Sequence, residues 1–158
     1  MKKEFIHLTD CDDIEMGVRD VVDGNRVYVT PEGNVYPSIT SILGREPKPG
    51  IEAWKERVGY QEANKIMKES AALGTMVHSL CEDYLYNEKL QCEDPEAISV
   101  FNRLRFLLGN VDNIYGIEMP LHSDILKVAG TADCIAEYNG VLSVIDFKTS
   151  RKPKREDW

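Results

Sequence analysis

"GTADCIAEYNGVLSVIDFKTS", residues 130–150, holds two apolar runs on either side of Asn139-Gly140. Asn-Gly between alternating apolar residues is the strongest short hairpin signal, because both residues of the turn must take positive φ. With a two-residue turn, Tyr138 pairs with Val141, and each further pair of residue numbers sums to 279. Asp133 then faces Asp146, and Thr131 faces Lys148. Side chains alternate along a strand, so Asp133, Asp146 and Lys148 share one face. Directly opposed side chains have Cβ atoms about 5 Å apart, where like charges repel. Asp146 and Lys148 also stand in what reads as a buried strand, where a charge without compensation is costly.

Two facing carboxylates in such a place need a shared proton or a cation. Lys148 supplies part of the compensation and a divalent metal supplies more. Mg²⁺ suits the arrangement: it takes oxygen ligands at about 2.0–2.1 Å and combines one or two carboxylates with waters and phosphate oxygens. Such a site has positions for a substrate phosphate and an attacking water, and Lys148 can stabilise the charge that develops on the phosphoryl group. The chemistry indicated is metal-dependent phosphodiester hydrolysis. A structural Asp–Lys ion pair with Asp133 solvated at a sheet edge is the alternative, and geometry alone leaves both open.

Residues 114–123, 124–138 and 141–150 read as three successive strands, the last two forming this hairpin. Asp94-Pro95 opens a helix over 94–108 that carries Ile98, Phe101, Leu104, Arg105 and Leu108. A helix over 70–88 has Leu73, Val77, Leu80 and Tyr84 on one stripe, with His78 at its border. Gly74 costs that helix about 1 kcal/mol against alanine, which points to a close approach there. Residues 51–70 are helical with Ile51, Trp54 and Val58 on one side, Trp54 as a core anchor, and Gly59 as an interruption. "REPKPG" (45–50) is a loop. Residues 26–30 and 35–36 form short strands around the turn Pro31-Glu32-Gly33-Asn34, and Ser38 or Thr40 caps a helical turn ending near Gly44. Residues 1–24 are acidic and weakly periodic, an irregular arm or short helix.

The whole is one domain, with an arm and hairpin over 1–34 and the main body over 35–158. At 158 residues and 42% hydrophobic content it has enough apolar surface for a core. No segment reaches the roughly 20 apolar residues of a membrane span, and no apolar run follows the N-terminal charges, so the expected setting is the cytoplasm. The four cysteines form no CxxC pair and read as reduced thiols, against a zinc or iron–sulfur site. The formal charge of −8 argues against nucleic-acid binding by bulk electrostatics. The distribution is uneven, however: residues 1–24 carry seven acids and three bases, and residues 148–158 carry five bases and two acids.

Gly130-Thr131-Ala132-Asp133 followed by Asp146-Phe147-Lys148-Thr149-Ser150 resembles the Asp…(Asp/Glu)-x-Lys signature of PD-(D/E)XK nucleases. The RecB-like branch of that superfamily adds an upstream helical histidine, and "GTMVHSLCEDYL" places His78 there. "YPSITSIL", "WKERVGYQEANKI" and "VIDFKTSRKPK" resemble phage exonucleases related to the mitochondrial genome maintenance exonuclease. The likeness covers most of residues 35–155.

The resemblance implies a restriction-endonuclease-like α/β core, a mixed sheet with flanking helices, acting as a Mg²⁺- or Mn²⁺-dependent DNA exonuclease. Asp133, Asp146 and the Phe147 backbone carbonyl would ligate metal. Lys148 would be the catalytic lysine, and His78 a further ligand or orienting group. Glu118 matches an acid often found in the branch. Arg151, Lys152, Lys154 and Arg155 would contact DNA backbone, single-stranded or at duplex ends, which makes binding salt-dependent. The role would lie in phage DNA replication, recombination or degradation, in the bacterial host's cytoplasm. The branch continues past this strand into a helix with a Gln-x-x-x-Tyr motif and a further strand, which this sequence does not contain. The alternatives are therefore a non-catalytic DNA- or partner-binding fragment, a homo-oligomer, or a chain complemented by a C-terminal piece; an endonuclease of the same fold is a third reading.

Overall fold

A computed structural model describes residues 3–8 and 18–149. They form two compact units, one from residues 3–5, 50–111 and 147–149 and the other from 6–8, 18–49 and 112–146. No helix among the described residues is long and apolar enough to cross a membrane.

The first unit is helical. It contains α2 (Pro49–Val58), α3 (Tyr60–Leu85) and α4 (Pro95–Leu108), after a short α1 (Ile39–Leu43) that belongs to the other unit. Gly59, at φ +94°, separates α2 from α3, and α3 then runs unbroken through Ser70. The interruption read at Gly59 is thus the real division, and the boundary expected at residue 70 is absent. Positive φ is open to glycine at little cost and to other residues rarely, whereas nothing at Ser70 forces a stop.

Asp94 caps α4 as expected, its carboxylate accepting from Ala97 N at 2.8 Å with Pro95 in the first turn. Val77, Leu80, Cys81, Tyr84 and Leu85 of α3 are buried, as are Ala97, Phe101 and Leu108 of α4. Tyr84 stands edge-on to both Phe101 (ring centroids 5.6 Å) and Phe5 (5.1 Å), a favoured aromatic geometry. Asn87, at φ +62°, binds both backbone groups of Phe5, accepting from its N–H at 2.8 Å and donating to its carbonyl at 2.9 Å. The stripe expected on α2 is not a core: none of its residues is fully buried, and Trp54 is only half-buried.

The second unit is mostly β. Among the described residues its strands form two three-stranded antiparallel sheets rather than one mixed sheet. The first orders β1 (Val18–Val22), β2 (Asn25–Val29) and β3 (Val35–Pro37). Val18–Val22, read from sequence as arm or helix, is a strand because Asp23-Gly24 turns the chain with φ of 49° and 75°, bringing Val22 opposite Asn25. The second sheet orders β4 (Val111–Ser123), β5 (Val128–Tyr138) and β6 (Val141–Ile145). Asn139 and Gly140 have φ of 51° and 76°, the two-residue turn their sequence calls for.

An isolated parallel bridge, Ser38 to Ala129, ties the end of β3 to β5. Tyr28, Tyr36 and Ala129 form a buried cluster beside it. Gly130 allows a close approach there: a Cβ would lie 3.2 Å from Ile39 Cγ2 of α1, close enough that the isoleucine would have to shift by a few tenths of an ångström. The strands expected over 124–138 and 141–150 are shorter than drawn: residues 124–127 form a turn, and β6 stops at Ile145.

Candidate functional site

In the β unit, five cross-strand pairs from Tyr138–Val141 to Cys134–Ile145 keep the expected register. The ladder ends there, so Asp133 and Asp146 lie one step beyond its last pair. Asp146 and Lys148 are exposed and only Phe147 between them is buried, at 4%. The buried charged strand expected from sequence is therefore an edge strand whose chain leaves the sheet at the first charge. Both charges are solvent-exposed, so the desolvation cost that a buried pair would carry does not arise. The alternation survives: 146 and 148 point outward and 147 inward.

Glu118 reaches the same neighbourhood through a distortion of β4. Buried residues along that strand fall at Val111, Ile114, Ile117 and Met119, which is not a period of two. Asn113 and Glu118 have φ of 41° and 50°, and each left-handed residue shifts the alternation as a bulge does. A glutamate in that region costs on the order of 1 kcal/mol. The result is that carboxylate oxygens of Glu118 and Asp133 lie within 4.8 Å of each other.

This pair fits a hard divalent cation. Ligand oxygens at about 2.0–2.1 Å from such an ion are separated by roughly 3–4 Å, and both donors are of the type it prefers. Behind Asp133, the Cys134 thiol is pushed up to about 12 by burial and then by the Asp133 charge. It stays protonated at neutral pH.

β5 is steadied from the first sheet. Tyr28, on β2 and 2% exposed, shares a hydrogen bond of 2.9 Å with Thr131 Oγ1 two residues before Asp133. Tyr36 donates to Asp124 Oδ1 at 2.6 Å, a bond that, with burial, raises the phenol above its ordinary range.

In the helical unit, α3 presents His78 to the chain that follows β6. Its Nε2–H donates to the Phe147 carbonyl at 2.5 Å, and the two rings meet edge-on at 5.6 Å. One turn earlier, Gly74 faces Thr149, whose Oγ1 would be 3.6 Å from an added Cβ. The close approach read from this glycine is real, but it is an ordinary contact that alanine also satisfies. Arg151, Lys152, Lys154 and Arg155 lie outside the described residues.

No family model matches the chain. Residues of the chain align with mitochondrial genome maintenance exonuclease 1 of mouse (30% identity over 131 residues), human (30% over 132) and Xenopus tropicalis (33% over 128). The chain is a distant homologue of this exonuclease. The alignments take in 75–77% of the chain but only 37–39% of the relatives' length, so the chain spans less than two fifths of the mitochondrial genome maintenance exonucleases it matches. The nuclease relationship read from the motifs therefore has support beyond them.

Two supports of the site escaped the sequence reading. Asp23-Gly24 was a legible hairpin signal that would have placed β1. The hydrogen bond from Tyr28 to Thr131 joins residues 103 apart in the chain, and no local pattern announces it.

Proposed function

We propose that the chain is the metal-binding core of a DNA exonuclease of restriction-endonuclease-like type. The observation that carries the reading is the bond from His78 to the Phe147 carbonyl, which engages the centre of Asp146-Phe147-Lys148 in a chain related to an exonuclease. Asp133, Asp146 and the Phe147 carbonyl would hold Mg²⁺ or Mn²⁺, with Glu118 as a further carboxylate. When bound, such an ion supplies Lewis-acid charge and lowers the pKa of a coordinated water.

The chain's own groups do the rest. His78 keeps the carbonyl oriented, a role of the kind that fixes ligand geometry elsewhere. Lys148, on the outward side with Asp146, donates hydrogen bonds to the phosphoryl oxygen as negative charge grows on it. Phe147, packed inward, sets the direction of both neighbours. The basic residues 151–155 would bind the phosphate backbone, so affinity would fall steeply with salt.

The test uses end-labelled linear single-stranded and duplex DNA, with closed circles beside them, in Mg²⁺ or Mn²⁺. Stepwise shortening of linear DNA, no cutting of circles, and loss of activity in Lys148→Ala, Asp133→Asn and with chelator are expected. Cleavage that survives Lys148→Ala would overturn the assignment, and linearised circles would make the enzyme an endonuclease.

A further inference from the structure

Between α3 and α4 of the helical unit lies an open groove of about 520 Å³, within the roughly 300–1,000 Å³ of small-ligand sites. Ile66 and Leu73 of α3 and Val100 of α4 form its apolar walls, and Thr149 closes part of its rim. Arg103 and Glu96 line it from α4, two turns and roughly 10 Å apart by helical rise. Arg103 is exposed and makes no hydrogen bond or ion pair among the described residues.

A slot with an aliphatic patch among hydroxyl side chains, a cation at one place and an anion well away from it suits a ligand that is flat and apolar in one part and polar and anionic in another. A nucleotide has that form. Its phosphate is drawn to Arg103 and repelled by Glu96, which leaves one orientation for the base between the aliphatic walls. The position adds a second argument: Thr149 is the residue after Lys148, so whatever fills the groove lies beside the segment assigned to catalysis. With no aromatic ring among the walls, the base is gripped by shape and not by stacking, and discrimination between bases is weak.

We propose that this groove is a nucleotide subsite, holding one nucleoside of the substrate strand next to Lys148 with Arg103 on its phosphate. The proposal rests on the nuclease reading for its substrate, but it can be tested without catalysis. The probe is each deoxynucleoside 5′-monophosphate titrated into the full chain while the methyl resonances of Ile66 and Val100 are followed. Saturable shifts are expected. Arg103→Glu, and Ser99→Trp, which fills the groove from its exposed rim, should each weaken binding at least tenfold. Arg103→Gln, a milder surface change, serves if either variant melts early.

In the DNA assay, Ser99→Trp should raise KM about tenfold with kcat within twofold of wild type. Methyl signals that stay in place at saturating nucleotide, or variants that bind as wild type does, would overturn the subsite even if DNA is cleaved. Nucleotide binding lost in the variants, in a chain that cleaves nothing, would uphold the groove and defeat the exonuclease reading instead.

Discussion

The two ends of α3 live in different surroundings. From Val77 to Leu85 the helix buries five side chains, while from Tyr60 to Ala72 it buries only Ala63. The second half packs against α4 and Phe5; the first continues as helix with little apolar support. Propagation of a formed helix costs far less than starting one, so a well-packed half can extend helical backbone into solvent. That extension supplies one wall of the groove that ends at Thr149. Stability and binding are thus assigned to different turns of one helix.

Phe101→Ala should have the largest effect on this division, about 3–5 kcal/mol of stability by urea unfolding, since Phe101 is 1% exposed and in ring contact with Tyr84. A loss below 1 kcal/mol would mean the α3–α4 contact is not the core of its unit. Leu80→Ala should cost about 2–5 kcal/mol, and Ile66→Ala, half-buried at the groove, well under half as much; equal costs would erase the contrast. Amide exchange should agree, with residues 77–85 slower than 61–72. Asp94→Ala should remove the cap of α4 at about 1 kcal/mol.

Gly74→Ala has the opposite sign. The helix gains up to about 1 kcal/mol, because the new methyl meets Thr149 at ordinary contact distance; a fall in Tm would show that the segment after β6 sits closer than 3.6 Å suggests. The smallest effect concerns the β unit. The Cys134 pKa is raised in the folded chain, so the thiol's contribution to stability is full below about pH 9 and lost as pH climbs towards 12. At pH 8, alkylation followed by mass spectrometry should label Cys92 well before Cys134.

Periodicity and turn chemistry made much of this legible. Val77, Leu80 and Tyr84 fall on the buried stripe, Asp94-Pro95 starts α4, and Asn139-Gly140 sets a register that holds in every pair of the β5–β6 ladder. What could not be read is what depends on neighbours distant in sequence. Ile51, Trp54 and Val58 have the spacing of a core stripe yet find no core, because amphipathic spacing says which face is apolar and not what covers it. The ends of strands escaped as well: Asp146 continues the alternation of β6, but the chain leaves the ladder at Ile145 although β5 runs on past Asp133. Of the site, chain order and residue type pointed to His78, Asp133 and Asp146-Phe147-Lys148. The bulge that turns Glu118 towards Asp133 needed coordinates, since glutamate at positive φ has no signature of its own.

The turn at Asn139-Gly140 also gives this protein a chemical age. A glycine after asparagine leaves the backbone nitrogen unhindered, so attack on the side-chain amide can close a succinimide, whose hydrolysis yields aspartate and isoaspartate. Isoaspartate carries the main chain through one additional carbon. Inserted at the tip of the β5–β6 hairpin, that carbon lies where the pairing of both strands is counted from, and the acids at the far end inherit the error. Old preparations would then lose alignment of Asp133 and Asp146 without any change in composition beyond one amide.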